Sequence, residues 1–209
     1  MNNIVSLLID ILHPSHCISC GKSISFNQYN VCTDCLHSVS SITSPLNCQI
    51  CDGMLMDKTC PFCSQREIYI DKNISLFEYS GSIKIMLQNL KFNHMKLLYK
   101  PICSRIGKEL DRITIKPDII TYVPMNRRKK WKRGYNQAEL FAKEIGKMMN
   151  IPLVSLLKEA KTSKKQSDLQ YTDRFLHVID RYSVKQSKDC KNKKILLVDD
   201  IFTTGATIN

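Results

Sequence analysis

The sequence has no hydrophobic run long enough to cross a membrane. A membrane-spanning helix needs about 20 apolar residues, and the best candidate run, residues 4–9, is followed at once by Asp10. A secretory signal peptide has basic residues before its apolar run, and this run has none before it. We therefore expect neither secretion nor a membrane span, and we expect a cytoplasmic protein.

Acidic residues are also few. The chain of 209 residues has 19 Asp and Glu against 31 Lys and Arg, which leaves a formal net charge of +12. Such an excess of positive charge favours phosphate-rich partners such as nucleic acids. Hydrophobic residues make up 43% of the chain, which is enough for a packed core and argues against disorder. At roughly 150 residues per domain, the length allows one core and a smaller module.

Cysteine, by contrast, is abundant and regularly spaced. Eight of the ten cysteines form four C-x-x-C pairs, namely Cys17/Cys20, Cys32/Cys35, Cys48/Cys51 and Cys60/Cys63. Two intervening residues allow a tight turn to direct both sulfurs at one cation, about 2.3 Å away. In a chain without an export signal, this pattern favours metal binding over disulfides. Buried free thiols, a disulfide staple and an iron–sulfur cluster are the alternatives.

Zinc takes four thiolates in a tetrahedron, so the pairs predict one or two structural zinc sites. We favour sequential pairing, in which the first pair joins the second and the third joins the fourth. An interleaved arrangement of the first pair with the third stays open. Gly21 and Asp52-Gly53 directly follow cysteines, where a knuckle turn often uses a positive φ. Because so small a segment buries little apolar surface, zinc would supply its folding free energy.

From Asn73 onward the hydrophobic pattern is that of an α/β domain. Alternating or continuous apolar runs predict strands at residues 74–79, 118–123 and 194–198, the last two of them buried. Helical spacing predicts helices near residues 83–90, 97–110 and 136–149. Strands that alternate with helices imply a parallel sheet, whose active crevice lies at the carboxyl ends of the strands.

Two adjacent carboxylates follow the last predicted strand. Asp199 and Asp200 lead into a small, hydroxyl-rich turn that contains Thr203, Thr204, Gly205, Ala206 and Thr207. The backbone N–H groups, the hydroxyls and a helix N-terminus can bind a phosphate there. Carboxylates can accept hydrogen bonds from a vicinal diol or hold Mg²⁺ through water. We interpret the segment as a cradle for a ribose 5-phosphate. The simpler interpretation is an ordinary strand-to-helix turn capped by threonine.

A basic loop is predicted after the strand at 118–123. It surrounds the only tryptophan with six cations. Cations beside an exposed aromatic ring favour single-stranded nucleic acid, through phosphate attraction and base stacking. The candidate nucleic-acid residues are Arg127, Arg128, Lys130, Trp131 and Lys132. Pyrophosphate binding is the competing interpretation, and the two are compatible because both ligands offer phosphate oxygens.

Residues 196–207 resemble the phosphoribosyl pyrophosphate (PRPP) signature of the type I phosphoribosyltransferases. The wider chain resembles the ComF family of amidophosphoribosyltransferase-like competence proteins. This likeness includes residues 7–14, the cysteine module, Tyr79, residues 90–92, the block at 123–137, Gln166 with Leu169, and Arg174.

The resemblance implies an N-terminal helix and double zinc-ribbon module over residues 1–66. It implies an α/β, parallel-sheet, type I phosphoribosyltransferase-like domain over residues 67–209. Because the chain ends at Asn209, directly after the signature, we expect the C-terminal end of this domain to be truncated.

The same resemblance assigns roles to the candidate residues. Asp199 and Asp200 would be the catalytic pair and would bind the ribose hydroxyls of PRPP, which is accompanied by Mg²⁺. Residues 203–207 would bind the 5-phosphate. Arg133 and Lys129 would lie near the pyrophosphate, although the family usually has Arg at the position of Lys129.

The implied function is that of a ComF-like protein that binds PRPP and supports uptake or processing of single-stranded DNA in natural competence. The implied partners are single-stranded DNA and a competence helicase. Two alternatives stay open. One is a metabolic phosphoribosyltransferase that acts on a nitrogenous acceptor, and the other is a catalytically inactive zinc-ribbon interaction scaffold.

Overall fold

The computed structural model of the protein describes residues 15–25, 29–42, 47–48, 50–53, 55–61, 63–65, 69–159, 182–185 and 190–202. The expected N-terminal helix, the matching positions at 166–174 and the turn at 203–207 lie outside the described residues. The chain divides into two compact units. The first unit consists of Met1–Ile42 with Leu76–Asp111, and the second of Thr43–Ser75 with Arg112–Asn209.

The first unit contains a small hairpin and three helices among its described residues. Its elements are β1 (Ser15–His16), β2 (Ser23–Ile24), α1 (Thr33–His37), α2 (Gly81–Phe92) and α3 (Tyr99–Gly107). Strands β1 and β2 pair antiparallel. Short 3₁₀ turns occupy Lys96–Leu98 and, where the unit ends, Leu110–Arg112.

Helix α2 confirms the helix predicted at 83–90. Its buried side chains recur at helical spacing, namely Ile83, Met86, Leu87 and Leu90. Ser80 has extended backbone at the N-cap position, and the helix ends before Asn93. The apolar side chains thus bury one face of the helix, and this burial orients the helix within the unit.

The predicted helix at 97–110 is shorter in the structure. A 3₁₀ turn covers Lys96–Leu98, and only Tyr99–Gly107 is α-helical. Pro101 lies in the first turn of α3, where the missing backbone N–H group costs no helical hydrogen bond.

The strand predicted at 74–79 is wrong. This segment makes a single antiparallel bridge, between Ser41 and Phe77. Two backbone hydrogen bonds flank the bridge, from Ile42 N to the Leu76 oxygen and from Glu78 N to the Ser40 oxygen, both at 3.1 Å. Among the described residues, the alternating segment therefore forms an isolated bridge and no strand.

The second unit contains the predicted parallel pair of strands. Its described elements are β3 (Ile119–Tyr122), α4 (Arg127–Arg133), α5 (Gln137–Met149), β4 (Leu157–Glu159), β5 (Tyr182–Val184) and β6 (Ile195–Val198). Strands β3 and β6 pair parallel, with Tyr122 opposite Val198. The α/β class with a parallel sheet is therefore confirmed.

Helix α5 confirms the amphipathic helix predicted at 136–149 and packs against β3. A Cβ atom at Gly146 would lie 2.9 Å from the Ile151 backbone oxygen and 3.1 Å from Ile120 Cγ2. Only a glycine therefore allows this close approach of helix and strand.

Three features of the second unit differ from the expectations. The predicted basic loop is helix α4, because Asn126 caps its start and Gly134, at φ +84°, ends it. Strand β6 is buried only at Val198, and Ile195 is 43% exposed. The antiparallel pair of β4 and β5 was not predicted.

Among the described residues, no helix combines the length and the apolar character that a bilayer span requires.

Candidate functional site

The first group of cysteines lies in the first unit. Its ligand atoms, the sulfurs of Cys17, Cys20, Cys32 and Cys35, all lie within 4.8 Å of one another. Gly21 closes the first knuckle with a φ of +75° and a 2.9 Å hydrogen bond from its N–H group to the Cys17 oxygen. The backbone N–H groups of Cys32 and Cys35 donate to the sulfurs of Cys17 and Cys32, each at 3.4 Å.

The second group has the same arrangement in the second unit. Its ligand atoms, the sulfurs of Cys48, Cys51, Cys60 and Cys63, also lie within 4.8 Å of one another. The Asp52 N–H group donates to the Cys48 oxygen at 2.8 Å. Within the predicted Asp52-Gly53 turn, the positive φ belongs to Asp52, at +60°.

The geometry of both groups fits a tetrahedral metal. With zinc–sulfur bonds of about 2.3 Å, a regular tetrahedron separates its ligands by about 3.8 Å. The sulfurs of Cys20 and Cys32 are 3.7 Å apart, and those of Cys51 and Cys60 are 3.5 Å apart. Each group could therefore hold one zinc ion. The groups are those that sequential pairing predicts, so the interleaved alternative is wrong.

The thiols differ in their pKa values. Burial acts to raise the pKa of Cys17, but backbone hydrogen bonds, the strongest from Cys32, lower it to about 6. Burial raises the pKa of Cys51, and burial together with the neighbouring thiols raises the pKa of Cys63 strongly. A metal ion that binds the second group must displace these protons, which couples its binding to deprotonation.

Serine hydroxyls join the first group to helix α2. The Ser82 hydroxyl, in the first turn of the helix, lies 3.0 Å from the Ser19 hydroxyl and 3.1 Å from the Ser38 hydroxyl. Ser19 lies between Cys17 and Cys20, and Ser38 follows α1, which carries Cys35. The first group therefore contacts the amino end of helix α2, beside the buried face of that helix.

The second group has a different setting. The Asn73 side chain donates to the Cys51 oxygen at 3.1 Å, and the Ser75 N–H group donates to the Asp52 carboxylate at 2.8 Å. Leu55 and Phe202 pack against the buried cysteines of this group. Phe202 is the last described residue of the segment that contains the paired aspartates.

The carboxyl ends of β3 and β6 meet at one edge of the sheet. The Val123 N–H group donates to the Val198 oxygen at 3.0 Å, so the chain leaves both strands at the same level. Asp199 and Asp200 follow β6 at this edge and are both half-buried. The Asp200 N–H group donates to the Asp199 carboxylate at 2.8 Å.

A buried hydrogen-bond network holds the chain after β3. The Asn136 amide donates to the Val123 oxygen at 2.9 Å, and its oxygen accepts from the Ala138 N–H group at 3.1 Å. The Arg133 guanidinium donates to the Gln137 side-chain oxygen at 2.7 Å and lies 3.9 Å from the Met125 sulfur. This network fixes Arg133 close to the carboxyl end of β3.

The remaining candidate residues lie on helix α4 and are exposed, namely Arg127, Arg128, Lys129, Lys130, Trp131 and Lys132. Trp131 is 88% exposed, the largest exposed fraction among the described large hydrophobic side chains. Lys130 pairs with Glu139 of α5 at 2.5 Å. An exposed ring on a basic helix can stack against a base while the cations contact phosphates.

Asp199 and Asp200 thus follow β6, and Arg133 lies close to the carboxyl end of β3 at the same edge of the sheet. Their roles in binding stay predictions. Phe202, Asn136 and Gln137 also contribute to this region, and no role was predicted for them. Asn136 stands at the start of the helix predicted at 136–149, and an asparagine at a helix start is a usable N-cap signal. Phe202 had none, because its contact is with residues far away in the sequence.

Comparison with known proteins identifies related competence and DNA-utilisation proteins. The chain is 28% identical to "Competence protein F" of Haemophilus influenzae over 205 residues, which cover 92% of this chain and 87% of that protein. It is 24% identical to "Competence protein ComFC" of Bacillus subtilis over 219 residues, covering 95% and 87%. It is 22% identical to "DNA utilization protein YhgH" of Escherichia coli K12 over 213 residues, covering 93% and 88%. No family model matches the chain. No solved structure matches it either.

Proposed function

We propose that this protein acts in DNA uptake or DNA utilisation. The named relatives support this proposal, because they agree with the resemblance to the ComF family that the sequence indicates. In this proposal it binds single-stranded DNA on helix α4 and PRPP, or a related phosphoribosyl ligand, at the carboxyl ends of β3 and β6. Relatives with competence or DNA-utilisation names cover about nine tenths of the chain, and this supports the general role.

The observation that carries the DNA proposal is the exposed ring of Trp131 on a basic helix. Trp131 is 88% exposed, although burial would be worth about 1.5–3 kcal/mol for a large apolar side chain. Five exposed cations share the helix with it. Stacking of a base on an aromatic ring contributes about 1–3 kcal/mol, and each phosphate contact adds a salt-dependent term.

The phosphoribosyl proposal rests on the carboxylates that follow β6. Asp199 and Asp200 can accept hydrogen bonds from the two hydroxyls of a ribose ring. Arg133, held by Gln137, supplies positive charge at the same sheet edge for a pyrophosphate group. If the ligand reacts, departure of pyrophosphate depends on neutralising its charge, and Mg²⁺ bound to the ligand would supply part of that neutralisation.

The zinc ions would be structural in this proposal. A site with four thiolate ligands has no open coordination position for a substrate. The cysteine groups would therefore stabilise the fold and take no direct part in the chemistry.

Fluorescence anisotropy with a labelled oligonucleotide tests the DNA proposal. We expect the full chain to bind a single strand at low salt, with an affinity that falls as salt rises. Trp131→Ala should weaken binding by about one stacking interaction, roughly 5- to 150-fold, whereas Trp131→Phe, which keeps a ring, should lose much less. Absence of binding even at low salt would refute the DNA proposal.

Calorimetry with PRPP and Mg²⁺ tests the phosphoribosyl proposal. We expect binding to the wild-type chain and a large loss of affinity in the Asp199→Asn/Asp200→Asn double variant, which keeps the size of both side chains. A wild-type chain that does not bind PRPP would contradict this part. Release of pyrophosphate on addition of an amine or a base would distinguish an enzyme from a protein that only binds the ligand.

A further inference from the structure

We infer that Phe202 couples the second cysteine group to the polar segment after β6, so that a metal ion bound by that group stabilises the position of Asp199 and Asp200. The inference rests on the proposed phosphoribosyl site, and it adds that the metal ion of the second group stabilises that site. The first cysteine group belongs to the other unit and provides a matched comparison.

The contact itself is apolar. Cys48, Cys51 and Cys60 form a buried cluster, with exposed fractions of 9%, 7% and 7%. Leu55, Cys63 and Phe202 pack against this cluster. Leu55 and Cys63 come from the same stretch of chain as the cysteines, whereas Phe202 comes from the segment that follows the last strand. The aromatic ring thus joins two segments that are distant in sequence.

Phe202 lies two residues after Asp200, so the contact acts directly on the candidate site. The chain is held at Val198, whose oxygen accepts a hydrogen bond from the Val123 N–H group. It is held again at Phe202 by the packing on the cysteines. The two aspartates lie between these anchors. Loss of the second anchor would remove one of the contacts that hold this segment, and its conformational freedom would increase.

A metal ion would make the second anchor rigid. The second group consists of two knuckles, and the sulfurs of Cys48 and Cys63, one from each knuckle, are 3.7 Å apart. A bound zinc ion links the knuckles through four bonds, and in small zinc modules this binding supplies most of the folding free energy. Without the metal, the surface on which Phe202 packs would lose that support.

The coupling must be reciprocal. If the metal stabilises the packed position of Phe202, then Phe202 must stabilise the bound metal by the same factor. Truncation of the ring should therefore weaken metal binding at a site to which it contributes no ligand atom. A role of Phe202 in local packing alone would not change metal release.

Zinc release and hydrogen exchange in the full, zinc-loaded chain test this inference. We expect Phe202→Ala to release one zinc equivalent to a chromogenic chelator about tenfold faster than the wild type, the usual size of an effect from a residue that supports metal ligands. The other equivalent should leave at the wild-type rate. Amide exchange in a peptide that covers residues 195–202 should become faster, while exchange in residues 119–122 should not change.

Three variants complete the experiment. Phe202→Leu keeps an apolar side chain and should lie close to the wild type in both measurements. Cys60→Ser should lose one zinc equivalent and speed exchange after β6. Cys32→Ser should also lose one equivalent but leave that exchange unchanged. The two cysteine variants test the coupling without altering Phe202, so the inference remains testable if Phe202→Ala does not fold.

The outcomes separate the inference from the proposed function. Unchanged zinc release and unchanged exchange in Phe202→Ala would overturn the coupling, even if the chain binds PRPP. Equal effects of Cys60→Ser and Cys32→Ser on the exchange after β6 would overturn it as well. If Phe202→Ala speeds both measurements but the wild type does not bind PRPP, the coupling is supported and the phosphoribosyl proposal fails.

Discussion

The two cysteine groups have the same ligand set but different surroundings. The first is linked by serine hydroxyls to the start of helix α2, within the first unit. The second is packed by apolar side chains, Leu55 and Phe202, within the second unit. Their knuckles also differ, because Gly21 has the positive φ in the first and Asp52 has it in the second. The comparison shows that two groups with the same C-x-x-C pairs can contact different kinds of neighbouring structure.

The four ligands of a group therefore do not determine which part of the protein the loss of its metal ion would disturb. Four thiolates in a closed site predict a structural zinc ion in either group. What the loss of that ion would disturb depends on the neighbours. For the first group the neighbour is a helix start, and for the second it is the segment that follows the paired aspartates.

The largest expected effect is the loss of a single ligand. Cys32→Ser and Cys60→Ser should each reduce the bound zinc by one equivalent and destabilise the protein by on the order of several kcal/mol, because metal binding supplies folding free energy. Zinc determination and thermal unfolding measure these effects. Retention of both equivalents in either variant would show that the group does not bind zinc with all its cysteines.

A smaller effect is expected at Asp52, which supports only the second group. Its carboxylate accepts a hydrogen bond from the Ser75 N–H group at 2.8 Å. Asp52→Ala should cost about 1–3 kcal/mol, because that N–H group loses its partner. Asp57→Ala is the matched control, since Asp57 also has a positive φ, at +49°. Chemical denaturation compares the two, and an equal loss would mean that backbone strain explains the effect at Asp52.

In the first group, Gly21 supplies a conformation that other residues avoid. Its φ is +75°, and no atom of the residues that the structure describes lies within 4 Å of an added Cβ, so a substitution there encounters backbone strain without a clash among them. Gly21→Ala should therefore cost about 1–2 kcal/mol. Gly21→Asn should cost less, because asparagine tolerates the left-handed region. If the unfolding midpoints of the two variants coincide, strain at this φ is not the cause.

The smallest effect is expected where the first group meets helix α2. Ser82→Ala removes the hydroxyl that lies next to those of Ser19 and Ser38, and should cost about 1 kcal/mol. Ser80→Ala is a suitable control, because the Ser80 side chain makes no capping hydrogen bond. Equal unfolding free energies for the two variants would show that the serine contacts do not stabilise the packing of the first group on helix α2.

Local patterns predicted helix α2, helix α5 and strand β3, because each buries one apolar face or run. They failed where pairing or capping decides the structure. In the part of the chain that the structure describes, the segment at 74–79 makes an isolated bridge in place of the expected strand. The expected basic loop is a helix because Asn126 and Gly134 cap it. The expected burial of β6 holds only for Val198. The domain boundary after residue 66 stays a prediction.

In the candidate site, too, local patterns predicted some features and missed others. The aspartates after β6 were predicted from their position behind a strand, and the parallel pairing brings them to the edge at which β3 ends. The support of Arg133 by Gln137 was not predicted, because a charge pattern does not show which cation is held by a buried amide.

The sequence by itself indicated the eight candidate cysteine ligands, since two intervening residues in a tight turn direct both sulfurs of a pair to one point. It also determined the main helices and strand β3, whose apolar spacing acts over a few residues. Only the tertiary structure decided which pairs join, which strand lies beside β3, and that Phe202 packs on the second cysteine group. These features bring together residues far apart along the chain, and their formation depends on the closure of long loops and on burial in a shared core, which no local spacing encodes.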